Sequence, residues 1–290
     1  MNMTAKFFFA CGLLALAVLP VTAQVTVEVT TDQDQFLQGE SIPVAVKITN
    51  RSGQQLHLGA DNEWLTFNVQ SVDGFIVMQN SEVPVQGAFD LESSQEATKH
   101  VDVEPSFDLR KLGGYKVTAT LHIKEWAQDI NSKPKNIDIV SGAKLWSQEF
   151  GLPATNHAPE MRRFTLEQAS YLNNRKRLYV QVSDQAGGQI FATRALGPAV
   201  EFNGPEALVD RYSMLHVVWQ SGGQSFNYSL VNADGEILRT EMYDDYNNSR
   251  PHLMVDDGGD IRVKGGVRRP QPGELPQVSP PPEVPAGTNH

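Results

Sequence analysis

The residues able to do chemistry are scattered along the chain, and none stands at a spacing that defines a site by itself. No two of the seven histidines (57, 100, 122, 157, 216, 252 and 290) have metal-ligand spacing. His57, His122 and His216 fall inside alternating apolar runs, where a histidine is satisfied by its neighbours or faces solvent. Asp256-Asp257-Gly258-Gly259-Asp260 has the oxygen donors of a calcium loop but no closing Glu, and hairpin-turn chemistry accounts for it fully. Asp244-Asp245-Tyr246-Asn247-Asn248 reads as a polar loop between strands. Were Asp210, Asp244 and Asp256 to converge, they could cleave a polysaccharide, which needs two carboxyls about 5–10 Å apart. Trp219, Tyr228 and Tyr243 are the candidate binding residues, as a face on which a sugar could stack. Trp126, Phe226 and Tyr246 extend that set, although at strand spacing such residues also build cores. No phosphate loop, dinucleotide fingerprint, zinc-helix motif or nucleophile elbow is present, so no cofactor or catalytic residue is implied.

The start of the chain predicts export, to the periplasm or outside the cell. Lys6 precedes an apolar run from Phe7 to Leu19, and Val21-Thr22-Ala23 offers a small-residue cleavage site. That run is shorter than the roughly 20 residues that span a bilayer, so no membrane insertion is expected once residues 1–23 are removed. Cys11 is the only cysteine and lies inside this leader, which leaves the remainder without disulfides. The net charge of −10 disfavours nucleic acid and anionic membranes, both of which reward clustered Lys and Arg.

From 24 to 140 short alternating strands follow one another, with valines at 25, 27 and 29 and again at 44 and 46. Gln38-Gly39-Glu40 and Asn50-Arg51-Ser52-Gly53 mark turns, and Asp73-Gly74 predicts a hairpin joining 65–72 to 75–78. Gly113-Gly114-Tyr115 at the head of an apolar run predicts a tyrosine corner, its ring in the core and its hydroxyl bonded upstream. Residues 141–160 break the alternation and are read as a packed connection, with Leu145, Trp146, Phe150 and Leu152 closing the junction. Residues 161–269 then read as one antiparallel meander. Within it Pro205 to Asp210 leading to Leu215-His216-Val217 matches Pro251 to Asp256 leading to Ile261-Arg262-Val263, 46 residues on. A weaker copy, Tyr171-Leu172-Asn173 leading to Leu178-Tyr179-Val180, lies 37 residues upstream. Residues 270–290, with seven prolines, predict a disordered tail or a docking peptide. Asn50, Asn227 and Asn247 each open a glycosylation-like triplet.

The layout of 24–140, with Gly113-Gly114-Tyr115 before a long strand, resembles immunoglobulin-like sandwiches and the bacterial proteinase-inhibitor type of β-sandwich domain. The 46-residue repeat resembles the strand pairs of β-propeller blades, though too few copies are present to close a ring. The expected fold is therefore all-β, a sandwich followed by a partial propeller-like or curled sheet. The expected function is a non-enzymatic exported scaffold or binding protein whose partner is another envelope or extracellular protein, or a glycan. A polysaccharide hydrolase or lyase and a protease inhibitor are the alternatives.

Overall fold

The structure, a computed structural model, describes residues 25–152, 160–171, 175–200, 204–247, 249–271 and 274. The predicted leader and residues 275–290 of the predicted tail lie outside the described residues. The fold is all-β, built from several antiparallel sheets with two short 3₁₀ turns. Among the described residues no helix is long and apolar enough to cross a membrane.

Ten strands precede residue 141: β1 Val25–Thr31, β2 Gln35–Leu37, β3 Pro43–Asn50, β4 Leu56–Leu58, β5 Leu65–Ser71, β6 Phe89–Leu91, β7 Glu96–Asp102, β8 Gly113–Ile123, β9 Gln128–Asn131 and β10 Lys135–Val140. One sheet runs β1-β3-β7 and a second runs β2-β10-β8-β5, with β9 paired to the far half of β8. Alternation places the faces. β1 buries Val25, Val27 and Val29 and exposes Thr26, Glu28 and Thr30, while β8 buries Tyr115, Val117, Ala119, Leu121 and Ile123. A one-residue slip of β1 would expose three valines worth roughly 1.5–3 kcal/mol each, which fixes its register. The Tyr115 hydroxyl donates to the Lys111 carbonyl at 2.7 Å, the bond expected of the corner. The hairpin predicted at Asp73-Gly74 does not form. β5 pairs with β8 instead, and 75–78 runs on as an extended segment with Phe75 and Val77 packed on the core.

The second half opens with β11 Ala143–Leu152, β12 Glu160–Tyr171, β13 Arg175–Asp184 and β14 Ile190–Pro198, a four-stranded antiparallel sheet. Residues 143–152 are therefore a strand and not a connection. Phe150, with Trp146 and Leu152 beside it, faces a core within this half, and Leu145 is exposed. The single predicted meander is divided as well. β15 Glu206–Val209, β16 Leu215–Gln220, β17 Ser225–Val231 and β18 Ile237–Asp244 form a second sheet, closed at its edge by β21 Val267–Arg268. A hairpin of β19 His252–Val255 and β20 Ile261–Lys264 adds a third layer. Leu215, Val217 and Trp219 pack toward the first sheet, whereas Val218 and Tyr228 pack toward the hairpin. The 46-residue repeat corresponds to β15–β16 and β19–β20. The weaker match is out of phase, because Leu178 to Val180 lie in the third strand of their sheet and Leu215 to Val217 in the second.

The two halves meet where the turn after β2 lies on β13 and β14. Leu37 packs with Ala169 and Tyr179, and Thr193 holds this turn from two atoms, its amide to Gly39 O at 3.2 Å and its hydroxyl to Gln38 O at 2.7 Å. Gly39 has φ +71°, and a Cβ there would lie 2.7 Å from Ile190 Cγ2, so both backbone and space require glycine. Glu40 is buried at this seam, accepting from the Leu37 amide at 2.8 Å and from Gln33 Nε2 at 3.0 Å. Burial still pushes its carboxyl above the ordinary carboxylate range, against the pull of those donors, Arg177 and Tyr179.

That shift has a pH signature. In the unfolded chain Glu40 ionises near its ordinary value of about 4.3, below its folded value, so its contribution to stability falls as pH rises from about 4.3 through the raised one. Wild-type urea midpoints should therefore drop relative to those of Glu40→Gln across that window. Parallel pH profiles for the two proteins would show that Glu40 is not held uphill.

Candidate functional site

The three aromatic candidates do not share a face. Trp219 and Tyr228 sit on neighbouring strands of one sheet but point to opposite sides, and both are buried. Trp219 donates its indole N–H to the Pro198 carbonyl at 2.9 Å, which ties β16 to the end of β14. Tyr243 is half-buried on the Tyr228 side and donates to Glu241 at 2.7 Å. These three residues therefore offer no exposed stacking platform. Trp126 is half-buried against the first core, and of the extended set only Tyr246 is largely exposed.

Behind Tyr228 lies a contact that spacing alone does not reveal. His216, 7% exposed, stands between the Asp210 carboxylate, 3.3 Å from Nε2, and the Tyr228 hydroxyl, 3.0 Å from Nδ1. An Nε2–H tautomer donates to the Asp210 carboxylate and leaves Nδ1 to accept from Tyr228. Burial pushes the Tyr228 hydroxyl up to about 12, which keeps it a donor at neutral pH. Asp210 also accepts from the amides of Tyr212 and Met214, each at 2.9 Å, and so shapes the β15–β16 turn. Asp, His and Tyr in a row resemble a proton relay, yet both ring nitrogens are engaged inside the protein. The arrangement can set a tautomer and lock two strands together; it leaves no ring nitrogen for a substrate.

The other carboxylates are similarly placed. Asp256 accepts from the amides of Gly258 at 3.0 Å and Asp260 at 2.9 Å, repeating the Asp210 turn, and pairs with Arg262 at 2.9 Å. Asp244 is clamped by the Arg269 guanidinium, which lowers its carboxyl below the usual range. Each of the three acids thus has its own partners. Among the described residues no group of three His, Cys, Asp or Glu is placed to hold a metal ion. His57 and His122 lie on the surface beside Asp90 and Asp129. Asn50 is fully buried and donates to the carbonyls of Gln54 and Leu91, so its triplet cannot present it for glycosylation.

Open space is found elsewhere. A groove of about 520 Å³ is lined by 25–30 of β1, by Ile130 and Asn131 of β9, and by Lys133, Pro134 and Lys135. Six consecutive residues of one strand point to both faces of its sheet, so a groove touching all six runs along the strand's edge. Among the described residues β1 is the outermost strand of its sheet, paired only with β3. Glu28 marks one wall and Lys133 the other, while Lys135 is paired with Asp34 at 2.6 Å. No sequence motif announces this site, because an edge is a property of topology.

The buried relay predicts a structural cost. Tyr228→Phe leaves the His216 Nδ1 without its donor and should lower stability by about 1–3 kcal/mol in urea unfolding. Tyr243→Phe leaves Glu241 its Arg268 partner at 3.3 Å and should cost less. Equal losses would contradict the special place of the His216 contact. No protein-family model matches the chain, and no curated protein matches it in sequence.

Proposed function

We propose that the chain is an exported, non-enzymatic binding or scaffold protein of the cell envelope or extracellular space. In this reading an immunoglobulin-like sandwich is followed by a partial propeller-like stack. The Tyr115 corner and the two facing sheets support the first description. Two successive four-stranded meanders, face to face, support the second. The observation that carries the functional reading is the groove along the unpaired edge of β1, an open surface with polar and apolar walls. The engagement of Asp210, Asp244 and Asp256 with separate partners weighs against the polysaccharide-cleaving alternative.

Protease inhibition has one observation in its favour. In the extended 75–78 segment Phe75 and Val77 are anchored, while Ile76 is 94% and Met78 65% exposed. Such a segment presents two large apolar side chains at little conformational cost. If it inhibits, the full chain slows at least one member of a broad protease panel, and Ile76→Asp abolishes the effect.

The binding reading is tested by capture from an envelope extract. The baits are 24–290 and a version ending at Glu274, which keeps the Arg268–Glu274 pair of 2.6 Å. A partner held by both baits places the contact on the folded part, and one lost with the shorter bait places it on the proline-rich tail. Empty baits in both cases would overturn the reading.

A further inference from the structure

The β1 edge has a definite hydrogen-bonding character. Asn50 of β3 receives the Ser94 amide at 2.7 Å and gives its own to Gln95 O at 3.0 Å, so its backbone faces away from β1. Val25 is its partner in the antiparallel register. In such a ladder a pair is either bonded on both sides or on neither, and the pattern alternates along the strand. The N–H and C=O of Val25 therefore point away from β3, and those of Val27 and Val29 do the same. Thr26, Glu28 and Thr30 make the bonds to β3. Among the described residues no strand meets the outward groups of the valines, and the space they face is the groove.

We propose that this groove takes up an extended segment of another polypeptide, which adds to β1 as a further strand. The inference rests on the binding-protein reading and names its partner's chemistry. Two other occupants fit poorly. A second copy pairing the whole of β1 with itself would centre on Glu28 and set two carboxylates directly opposite, which is destabilising. The net charge of −10 on each copy adds to that repulsion. The proline-rich tail has seven residues with no N–H to give, and nowhere alternates apolar with polar residues over a strand's length. The segment that fits alternates, with apolar side chains toward Ile130 and the valines, a basic residue beside Glu28 and an acidic one within reach of Lys133.

A test uses the full chain and a synthetic peptide, acetyl-Thr-Val-Lys-Val-Thr-Val-Asp-amide, with amide exchange followed by NMR. The peptide should slow exchange at Val27 and Val29 at least tenfold, and leave Thr26, Glu28 and Thr30, already bonded to β3, unchanged. N-methylation of alternate peptide bonds should abolish the protection, and Glu28→Lys, on the exposed face, should weaken binding about tenfold. Unprotected Val27 and Val29 at saturating peptide overturn the proposal, and so does equal protection by the methylated peptide. Protection that grows with protein concentration alone would overturn it in favour of a second copy. If these amides stay open while the envelope capture still yields a partner, strand addition fails and the binding reading survives.

Discussion

The structure depends on a single turn. Residues 37–40 leave the first sheet pair, lie against β13 and β14, and carry a buried carboxylate into the seam. Glu40 cannot be replaced there by just any side chain, since it accepts two hydrogen bonds from its own loop while Arg177 and Tyr179 approach from the other half. Burial disfavours its charge, and the donors of its own loop together with Arg177 and Tyr179 offset only part of that cost. Burial also pushes the Tyr179 hydroxyl up to about 12. Through this seam, where Leu37 packs with Ala169 and Tyr179, the two cores are joined.

Beyond the seam the second half is a succession of layers, and each layer grips a turn of the next through an arginine. Arg162 of β12 reaches Asp234 in the β17–β18 turn at 2.8 Å, and Arg211 reaches Asp260 in the β19–β20 turn at 2.9 Å. Exposed pairs of this kind contribute little individually, about 0–1 kcal/mol. Their value lies in orientation, since each joins a named residue of one layer to a turn of the next. Among the described residues of this half the buried side-chain polar groups all find partners.

Much of this is legible in the sequence. Gly113-Gly114-Tyr115 announced its corner because the glycines and the buried ring are needed at fixed offsets. The 46-residue repeat announced two equivalent hairpins because an Asp that caps its own turn recurs with the valine before it. What failed did so for physical reasons. β11 was read as a connection because its register shifts between Lys144 and Trp146, which breaks the period of two. The 75–78 segment alternates like a strand but finds no ladder. Trp219 and Tyr228 looked like neighbours on a face because β16 is buried on both sides, so its run Leu215 to Trp219 carries no facial signal. The His216–Tyr228 contact is diagonal across β16 and β17 and follows only once the register is known. The β1 groove left no mark at all.

The return of the backbone to β18 has a mechanical meaning. After the β19–β20 layer the backbone turns back and pairs Val267 and Arg268 with Asp244 and Tyr243 of β18. Arg269 then clamps Asp244, and Arg268 takes hold of Glu241 and Glu274. A pull applied beyond Arg269 is therefore received by β18, in the middle sheet of the stack, and the outermost hairpin, packed on Val218 and Tyr228, lies off the line of force. Whatever tethers the tail would tug on the second sheet directly, with the terminal layer carried along as a passenger.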